Sequence, residues 1–199
     1  MLALKRRGSA RQVLGESPQV LTDILQEDVN LAVWQRQLPG HVDNFADVLL
    51  SLQQPLGESL TLELLPDGEV PALPGLAAAY ADLQGYVGFV ADVSWLIGAF
   101  ACLVDARRVG LRLRVLDGAM CPRFHVDHVP LRLICTYAGP GSEWLAMPDA
   151  VEVNRLASGD VALLKGEKWL GNEGAGLVHR SPQLPEGQRR LMLTLDWMA

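Results

Sequence analysis

The sequence is poor in cysteine and in positive charge, and each shortage disfavours a class of protein. Only three of the 199 residues are cysteine, an odd and sparse set that indicates a reducing compartment rather than a disulfide scaffold. The formal net charge is −6, and no basic run stands out beyond the N-terminal tip. The charge pattern therefore does not suggest a nucleic-acid partner.

Long apolar runs are also missing. The strongest candidate for a membrane segment is the twelve-residue run 93–104, whereas a transmembrane helix needs roughly 20 apolar residues. We therefore interpret this run as part of a buried core helix. The basic N-terminal residues are not followed by an apolar region, so we expect no secretory signal. These observations predict a cytoplasmic protein without membrane contact.

The rest of the composition, 49% hydrophobic and 20% charged, is that of a globular protein. We expect a mobile tail over residues 1–18, which is basic and has little to bury, and a single domain over 19–199. The first part of that domain, 19–107, is predicted to be mostly helical. Its patterns predict helices at 42–52 and 73–105 and strands at 30–36 and 60–65.

From residue 108 onward the pattern changes to short alternating segments separated by glycine, proline and aspartate. Such segments are typical of a sandwich or barrel. The predicted fold class is therefore α+β, with an N-terminal helical layer packed on an all-β part over 108–199. The predicted strands are 111–116, 123–127, 131–137, 161–164, 177–180 and 190–197.

A His-x-Asp pair, His125 and Asp127, lies in one of these strands. Side chains alternate faces along a strand, so the imidazole and the carboxylate point to the same side. His179 would complete a facial triad, a ligand set typical of non-haem Fe(II). We call these three residues the triad. The same letters at His41 and Asp43 fall at the start of a predicted helix, where i and i+2 diverge, and we interpret them as surface or capping residues.

The residues that follow His125 occur in a recognisable order. They are a strand with Tyr137, a Gly-Pro-Gly turn before Glu143, Gly159-Asp160 before an apolar strand, His179, Gly187, Arg189 and Trp197. This order resembles the double-stranded β-helix of the Fe(II)/2-oxoglutarate dioxygenases, particularly the prolyl-hydroxylase-like branch. The resemblance covers about the C-terminal eighty residues and implies a jelly-roll or cupin-like fold for 108–199.

The resemblance also implies roles. The triad would ligate Fe(II), Arg189 would bind the distal carboxylate of 2-oxoglutarate, and Tyr137 would be a second donor to it. Arg190 stays open as the inward-facing arginine because a one-residue register decides between the two. The implied function is that of a mononuclear Fe(II), 2-oxoglutarate-dependent oxygenase acting on a small-molecule or protein substrate.

The whole chain separately resembles an uncharacterised bacterial family, domain of unknown function 1826, through AVWQR, CPRFHVDHVPLRL, TYAGPGSEWL and HRSP. That family has no activity to transfer, and two alternatives stay open. One is a non-catalytic Zn(II) protein of metal homeostasis that uses the triad with Cys121 as a fourth ligand. The other is a jelly-roll interaction domain with a vestigial triad. Whether Arg180 joins the site is also open.

Overall fold

Two β-sheets and two α-helices are present in the computed structural model, which describes residues 10–65 and 69–198. The helices are α1 (Gly40–Ser51) and α2 (Tyr86–Val104), and 3-10 turns cover Pro18–Leu25 and Ala78–Tyr80. The strands are β1 (Arg11–Gly15), β2 (Val29–Trp34), β3 (Gly57–Glu63), β4 (Arg108–Leu116), β5 (Leu131–Ala138), β6 (Glu143–Trp144), β7 (Asn154–Arg155), β8 (Val161–Lys165), β9 (His179–Arg180) and β10 (Arg190–Trp197).

The larger sheet has seven strands in the order β1-β2-β8-β5-β10-β4-β3. β10 lies in its interior and pairs antiparallel with both β4 and β5. The smaller sheet has the order β7-β6-β9, and a bridge between His125 and His179 adds one more segment to it. From β4 onward, successive segments thus pass back and forth between two sheets, which is the arrangement of a double-stranded β-helix.

Alternation along the central strands gives the larger sheet two apolar faces. On β10, Leu191, Leu193 and Leu195 pack into the core shared with the helices, whereas Met192 packs toward the smaller sheet. Helix α2 covers the first face with residues spaced three or four apart, as expected for one side of a helix. These buried residues are Phe89, Val93, Leu96, Ile97, Phe100 and Ala101.

The run 93–104 is thus part of a helix with one face in the core, whereas the predicted full burial was wrong, because Trp95 and Cys102 are exposed; the helix is also longer than the run. Its 19 residues are long and apolar enough to cross a membrane by length and composition alone. The prediction of helix over 73–105 was wrong for its first part, because α2 begins only after Gly85. Gly85 has φ +92°, and a Cβ there would lie 2.1 Å from the carbonyl oxygen of His41, so this position requires glycine.

The predicted helical character of the N-terminal part needs correction as well. β1, β2 and β3 all join the larger sheet, so this part supplies three strands in addition to its helices. The expected tail over 1–18 was wrong for residues 11–15, which form β1 and pair parallel with β2, while residues 1–9 lie outside the described residues. The strands predicted at 30–36 and 190–197 are present, and only a bridge at His125 stands in place of strand 123–127.

Candidate metal centre

His125 and His179 are held side by side by their backbones. The amide of each donates to the carbonyl of the other, at 3.0 Å from His125 and 2.9 Å from His179. This pairing fastens the loop after β4 to β9, and it brings the two imidazole rings to a centroid separation of 4.7 Å. Two residues that are 54 positions apart in the sequence thereby become neighbours on one sheet.

Asp127 supplies the third group. Its Oδ2 lies 3.2 Å from Nε2 of His179, and its Oδ1 lies 3.6 Å from Nε2 of His125. One ligand atom from each of the three residues lies within 4.8 Å of the others. The structure therefore brings together the three side chains that the sequence analysis selected, in a group compact enough to surround one ion.

Hydrogen bonds of the two Nδ1 atoms orient the imidazoles so that Nε2 of each ring faces the centre of the triad. Nδ1 of His125 lies 3.0 Å from the carbonyl oxygen of Arg123, and Nδ1 of His179 lies 3.2 Å from that of Leu177. A carbonyl only accepts, so each Nδ1 carries the proton in these hydrogen bonds. The Nε2 atom of each ring then faces the shared point, where the lone pair of a neutral ring can bind a metal ion, as in histidine metal ligands with an oriented tautomer.

Asp127 is kept ionised by its surroundings. Burial favours the neutral acid, but the proximity of His179, and then of Arg132 and His125, outweighs it and holds the pKa of Asp127 below its ordinary value. Arg132 donates to Oδ1 at 2.6 Å. Oδ2 is buried and lacks a well-aligned hydrogen bond, although Nε2 of His179 is close. Oδ1 is thus held by Arg132 on the side of His125, and Oδ2 faces Nε2 of His179.

Arg132 and Asp196 form a support that sequence reasoning missed. Arg132 donates to both oxygens of Asp196, at 2.6 and 3.0 Å, while its remaining terminal nitrogen binds Asp127. Asp196 on β10 also accepts from Arg112 on β4 at 2.7 Å. The three strands β4, β10 and β5 are therefore linked to the metal ligand through one ionic network. The only local signal was the alternation that places Arg132 on one face of β5.

Two glycines allow the loop that carries Asp127 to pack closely. A Cβ on Gly166 would lie 2.1 Å from the carbonyl oxygen of Val129 and 2.5 Å from that of Asp127. A Cβ on Gly176 would lie 2.2 Å from a methyl group of Val126. Gly166 requires glycine because a Cβ would meet backbone carbonyls, whereas a Cβ at Gly176 would require the side chain of Val126 to move. Neither glycine was singled out from the sequence.

The triad opens into a cleft between the two sheets. On the side of the larger sheet it is lined by Arg112, Arg114, Arg132, Ile134, Met192 and Thr194, and on the other side by Met120, Cys121, His125, Ser142, His179, Arg180 and Ser181. Cys121 lines this cleft, but its thiol is not part of the compact group formed by the triad. His128 is exposed and His41 lies on α1, so neither contributes.

Arg190, not Arg189, is the arginine that turns inward. Arg190 is 1% exposed and donates to the carbonyl of Pro140 at 3.0 Å and to the hydroxyl of Ser142 at 3.1 Å, beside Met192. The choice of Arg189 was wrong, because that side chain reaches the carbonyl of Gln54 instead. β10 carries even-numbered residues toward the cleft, and Arg190 shares their face.

Tyr137 must also be removed from the predicted site. Its side chain is fully buried on the helix side of the larger sheet, in edge contact with Phe89, and its hydroxyl donates to Asp92 at 2.6 Å. Asp92 in turn pairs with both terminal nitrogens of Arg36. Tyr137 therefore belongs to a buried ionic network that joins α2 to the sheet.

Arg190 is a buried cation without a counter-ion among residues 10–65 and 69–198. In the described part of the chain no carboxylate pairs with it, and its Nε has no acceptor. Burial lowers the pKa of Arg190 to about 10. A buried guanidinium held only by neutral groups is unfavourable unless an anion completes its surroundings. The surroundings of Arg190, next to the lining residues Ser142 and Met192, are thus suited to a carboxylate, while the triad is suited to a metal ion.

Solved structures with the same fold were found at low sequence identity. A rice dioxygenase for auxin oxidation matches with a TM-score of 0.51 and 14% identity, over 96% of this chain and 83% of that one. A Pseudomonas putida prolyl-4-hydroxylase matches at 0.50 and 12%, over 90% and 96%. A Neurospora crassa protein, solved in complex with alpha-KG and 5-formyluracil, matches at 0.51 and 12%, over 89% and 77%.

The first two of these neighbours are a dioxygenase and a hydroxylase, and the likeness shows that the chain shares their fold, in agreement with the double-stranded β-helix described above. The chain belongs to the family described as "Protein of unknown function (DUF1826)", whose model matches residues 15–196. A search among curated proteins found no match.

Proposed function

We propose that the protein is a mononuclear non-haem Fe(II), 2-oxoglutarate-dependent oxygenase. The observation that carries this proposal is the presence, at one cleft, of a His/Asp/His group and a buried arginine with no carboxylate partner among the described residues. A keto acid with two carboxylates needs a metal ion near its keto group and a cation at its distal end. The triad and Arg190 supply these two requirements.

The triad fits an Fe(II) ion by its chemistry. Two neutral imidazoles and one carboxylate are the ligands of the facial site that leaves further coordination positions open. One ligand atom from each of the three residues lies within 4.8 Å of the others, and Oδ2 of Asp127 lies 3.2 Å from Nε2 of His179. When bound, Fe(II) with 2-oxoglutarate would supply oxidation of a substrate by dioxygen.

The region around Ser142 and Arg190 fits the distal carboxylate. The free Nε of Arg190 and the hydroxyl of Ser142 are two donors within one small region. The hydroxyl of Thr136, on the same face of β5 as Ile134, is likewise buried without a partner in the described part of the chain. Arg190 would bind the carboxylate through charge-assisted hydrogen bonds, and the apolar side chains of Ile134 and Met192 would exclude water between the two ends.

Arg132 would act as a positioning residue for Asp127. By holding Oδ1 at 2.6 Å it orients the carboxylate and favours its ionised form. The zinc alternative with Cys121 as fourth ligand has less support, because the thiol lies outside the compact group. We infer that the substrate, a small molecule or a protein side chain, enters from the rim of the cleft beside Met120.

The proposal is tested by metal content and by spectroscopy. We expect the wild-type chain, loaded anaerobically with Fe(II), to develop a metal-to-ligand charge-transfer band when 2-oxoglutarate is added. His179→Ala removes one of three ligands and should abolish Fe(II) binding. His128→Ala and His41→Ala remove imidazoles that lie outside the triad and should retain it.

Two results would contradict the proposal. The first is equal metal content in His179→Ala and the wild type, which would show that the triad does not hold the ion. The second is tightly bound zinc together with no spectral or calorimetric response to 2-oxoglutarate. That second result would favour the non-catalytic metal protein.

A further inference from the structure

Arginines are concentrated around the cleft, although the chain as a whole is acidic with a formal net charge of −6. Arg112, Arg114, Arg132 and Arg180 line it, and Arg190 lies behind this lining, in contact with the lining residues Ser142 and Met192. An accumulation of one charge in a cleft raises the local concentration of ligands of opposite sign. The question is which of these cations are already neutralised by the protein.

Three carboxylates neutralise part of this charge. Asp196 is shared by Arg112 and Arg132, Asp127 is held by Arg132, and Glu143 accepts from Arg180 at 2.7 Å. Even without Arg155, the second partner of Glu143, these five arginines against three carboxylates leave an excess of two positive charges among the described residues around the cleft. Binding of Fe(II) and of the 2-oxoglutarate dianion would add equal and opposite charges. The positive excess would therefore persist in the loaded protein.

Arg114 carries one of these uncompensated charges. No carboxylate in residues 10–65 and 69–198 forms an ion pair with it, and its Nε is buried without an acceptor. Its single polar contact in these ranges is a long one, 3.4 Å from a terminal nitrogen to the hydroxyl of Ser59. Arg112, two residues away on β4, shares its face and lies closer to solvent, with its side chain 44% exposed.

Position separates Arg114 from the arginine proposed for the keto acid. Arg190 is 1% exposed, whereas Arg114 is half-buried and lies opposite Met192 in the pairing of β4 with β10. An anion that entered from solvent would meet Arg112 and Arg114 before it could reach Arg190. The planar guanidinium groups present paired N–H donors that match the oxygens of a carboxylate or phosphate.

We propose that Arg114, assisted by Arg112, binds an oxyanion group of the substrate, so that the substrate class is a carboxylate- or phosphate-bearing compound. The identification of the bound anion as part of a substrate rests on the proposed oxygenase function. The existence of the anion site does not depend on that function. Arg114 is therefore a specificity-determining residue, distinct from the arginine that holds the keto acid.

The test is a calorimetric titration of the full-length chain with inorganic phosphate and, separately, with acetate. It is run in the metal-free protein and again with Mn(II) and 2-oxoglutarate present. We expect Arg114→Gln to weaken binding of the preferred anion at least tenfold and Arg114→Lys to weaken it less. Arg107→Gln, which removes the same charge from an exposed position outside the cleft, should stay within twofold. The anion that binds more tightly identifies the substrate class as phosphate-bearing or carboxylate-bearing.

Arg190→Met separates the two sites, because it should retain the phosphate or acetate site and lose 2-oxoglutarate binding. Unchanged anion affinity in Arg114→Gln would overturn the inference. Loss of 2-oxoglutarate binding in a folded Arg114→Gln protein would also overturn it, since Arg114 would then belong to the keto-acid site. Arg114-dependent anion binding without any 2-oxoglutarate binding in the wild type would support the anion site and refute the oxygenase function.

Discussion

Arg190 offers a test in which stability and binding should change in opposite directions. Burial lowers the pKa of its guanidinium to about 10, and each unit of pKa corresponds to about 1.4 kcal/mol, so burying the charge costs about 3 kcal/mol. The charged form is the penalised one, and it persists until the pH rises through about 10. The full cost therefore applies at pH 7.

Arg190→Met removes the charge while it retains an unbranched apolar side chain. The carbonyl of Pro140 and the hydroxyl of Ser142 lose their donors, at a cost of about 1 kcal/mol each. The net expectation is a ligand-free variant about 1 kcal/mol more stable than the wild type. For a chain of this size that corresponds to a rise in Tm of about 2–4 °C.

The same substitution should abolish stabilisation by 2-oxoglutarate. At a ligand concentration of about 100 times Kd, binding stabilises a protein by about 2.7 kcal/mol, which would raise the Tm of the wild type by roughly 5–11 °C. Thermal unfolding with Mn(II), with and without 2-oxoglutarate, measures both effects. Arg189→Met is the matched control, because that neighbouring side chain only reaches the carbonyl of Gln54.

The reasoning would be refuted if Arg190→Met retained the thermal shift caused by 2-oxoglutarate. It would also be refuted if the ligand-free variant were several kcal/mol less stable, since Arg190 would then act as a structural residue. If Arg189→Met lost the thermal shift and Arg190→Met retained it, Arg189 rather than Arg190 would be the arginine that binds 2-oxoglutarate.

Three further predictions concern the cleft and its support. Cys121→Ala should keep the metal-to-protein ratio measured by plasma emission, and a loss would indicate a four-ligand zinc site. Asp92→Ala should destabilise the protein by about 3–5 kcal/mol in urea unfolding because it leaves the buried Arg36 without its counter-ion; a change below about 1 kcal/mol would contradict this. Gly85→Ala should cost at least about 1–3 kcal/mol by the same assay, because φ +92° and the nearby carbonyl of His41 exclude a side chain; wild-type stability would refute it.

The parts of the fold with strong local patterns were predictable. The strand 190–197 was predicted with the bounds of β10, because strict alternation of Leu191, Leu193 and Leu195 identifies both the strand and its buried face. Alternation along β5 also contained the information that Tyr137 does not face the cleft. Tyr137 shares its parity on β5 with Leu133 and Cys135, which pack against the helices.

Features that depend on distant pairing were not predictable. β1 pairs parallel with β2 at the edge of the sheet, and nothing within residues 11–15 indicates that partner. The pairing of β10 with β5 shifts register between Leu191 and Met192. Because a shift of one residue exchanges the two faces of a strand, spacing from His179 alone did not decide between Arg189 and Arg190. The ion pair between Arg132 and Asp196 likewise joins residues 64 positions apart.

The interior position of β10 has a consequence for how the chain reaches its native state. Leu195 pairs with Leu111 on one side and with Leu133 on the other. Strands β4 and β5 therefore each have an unpaired edge until β10, much later in the chain, is available. Any fragment that stops before residue 190 leaves both of those edges unpaired, and open edges recruit other chains into aggregates. Proteolytic nicking or splitting of the chain between β9 and β10 should therefore yield insoluble pieces rather than two usable halves.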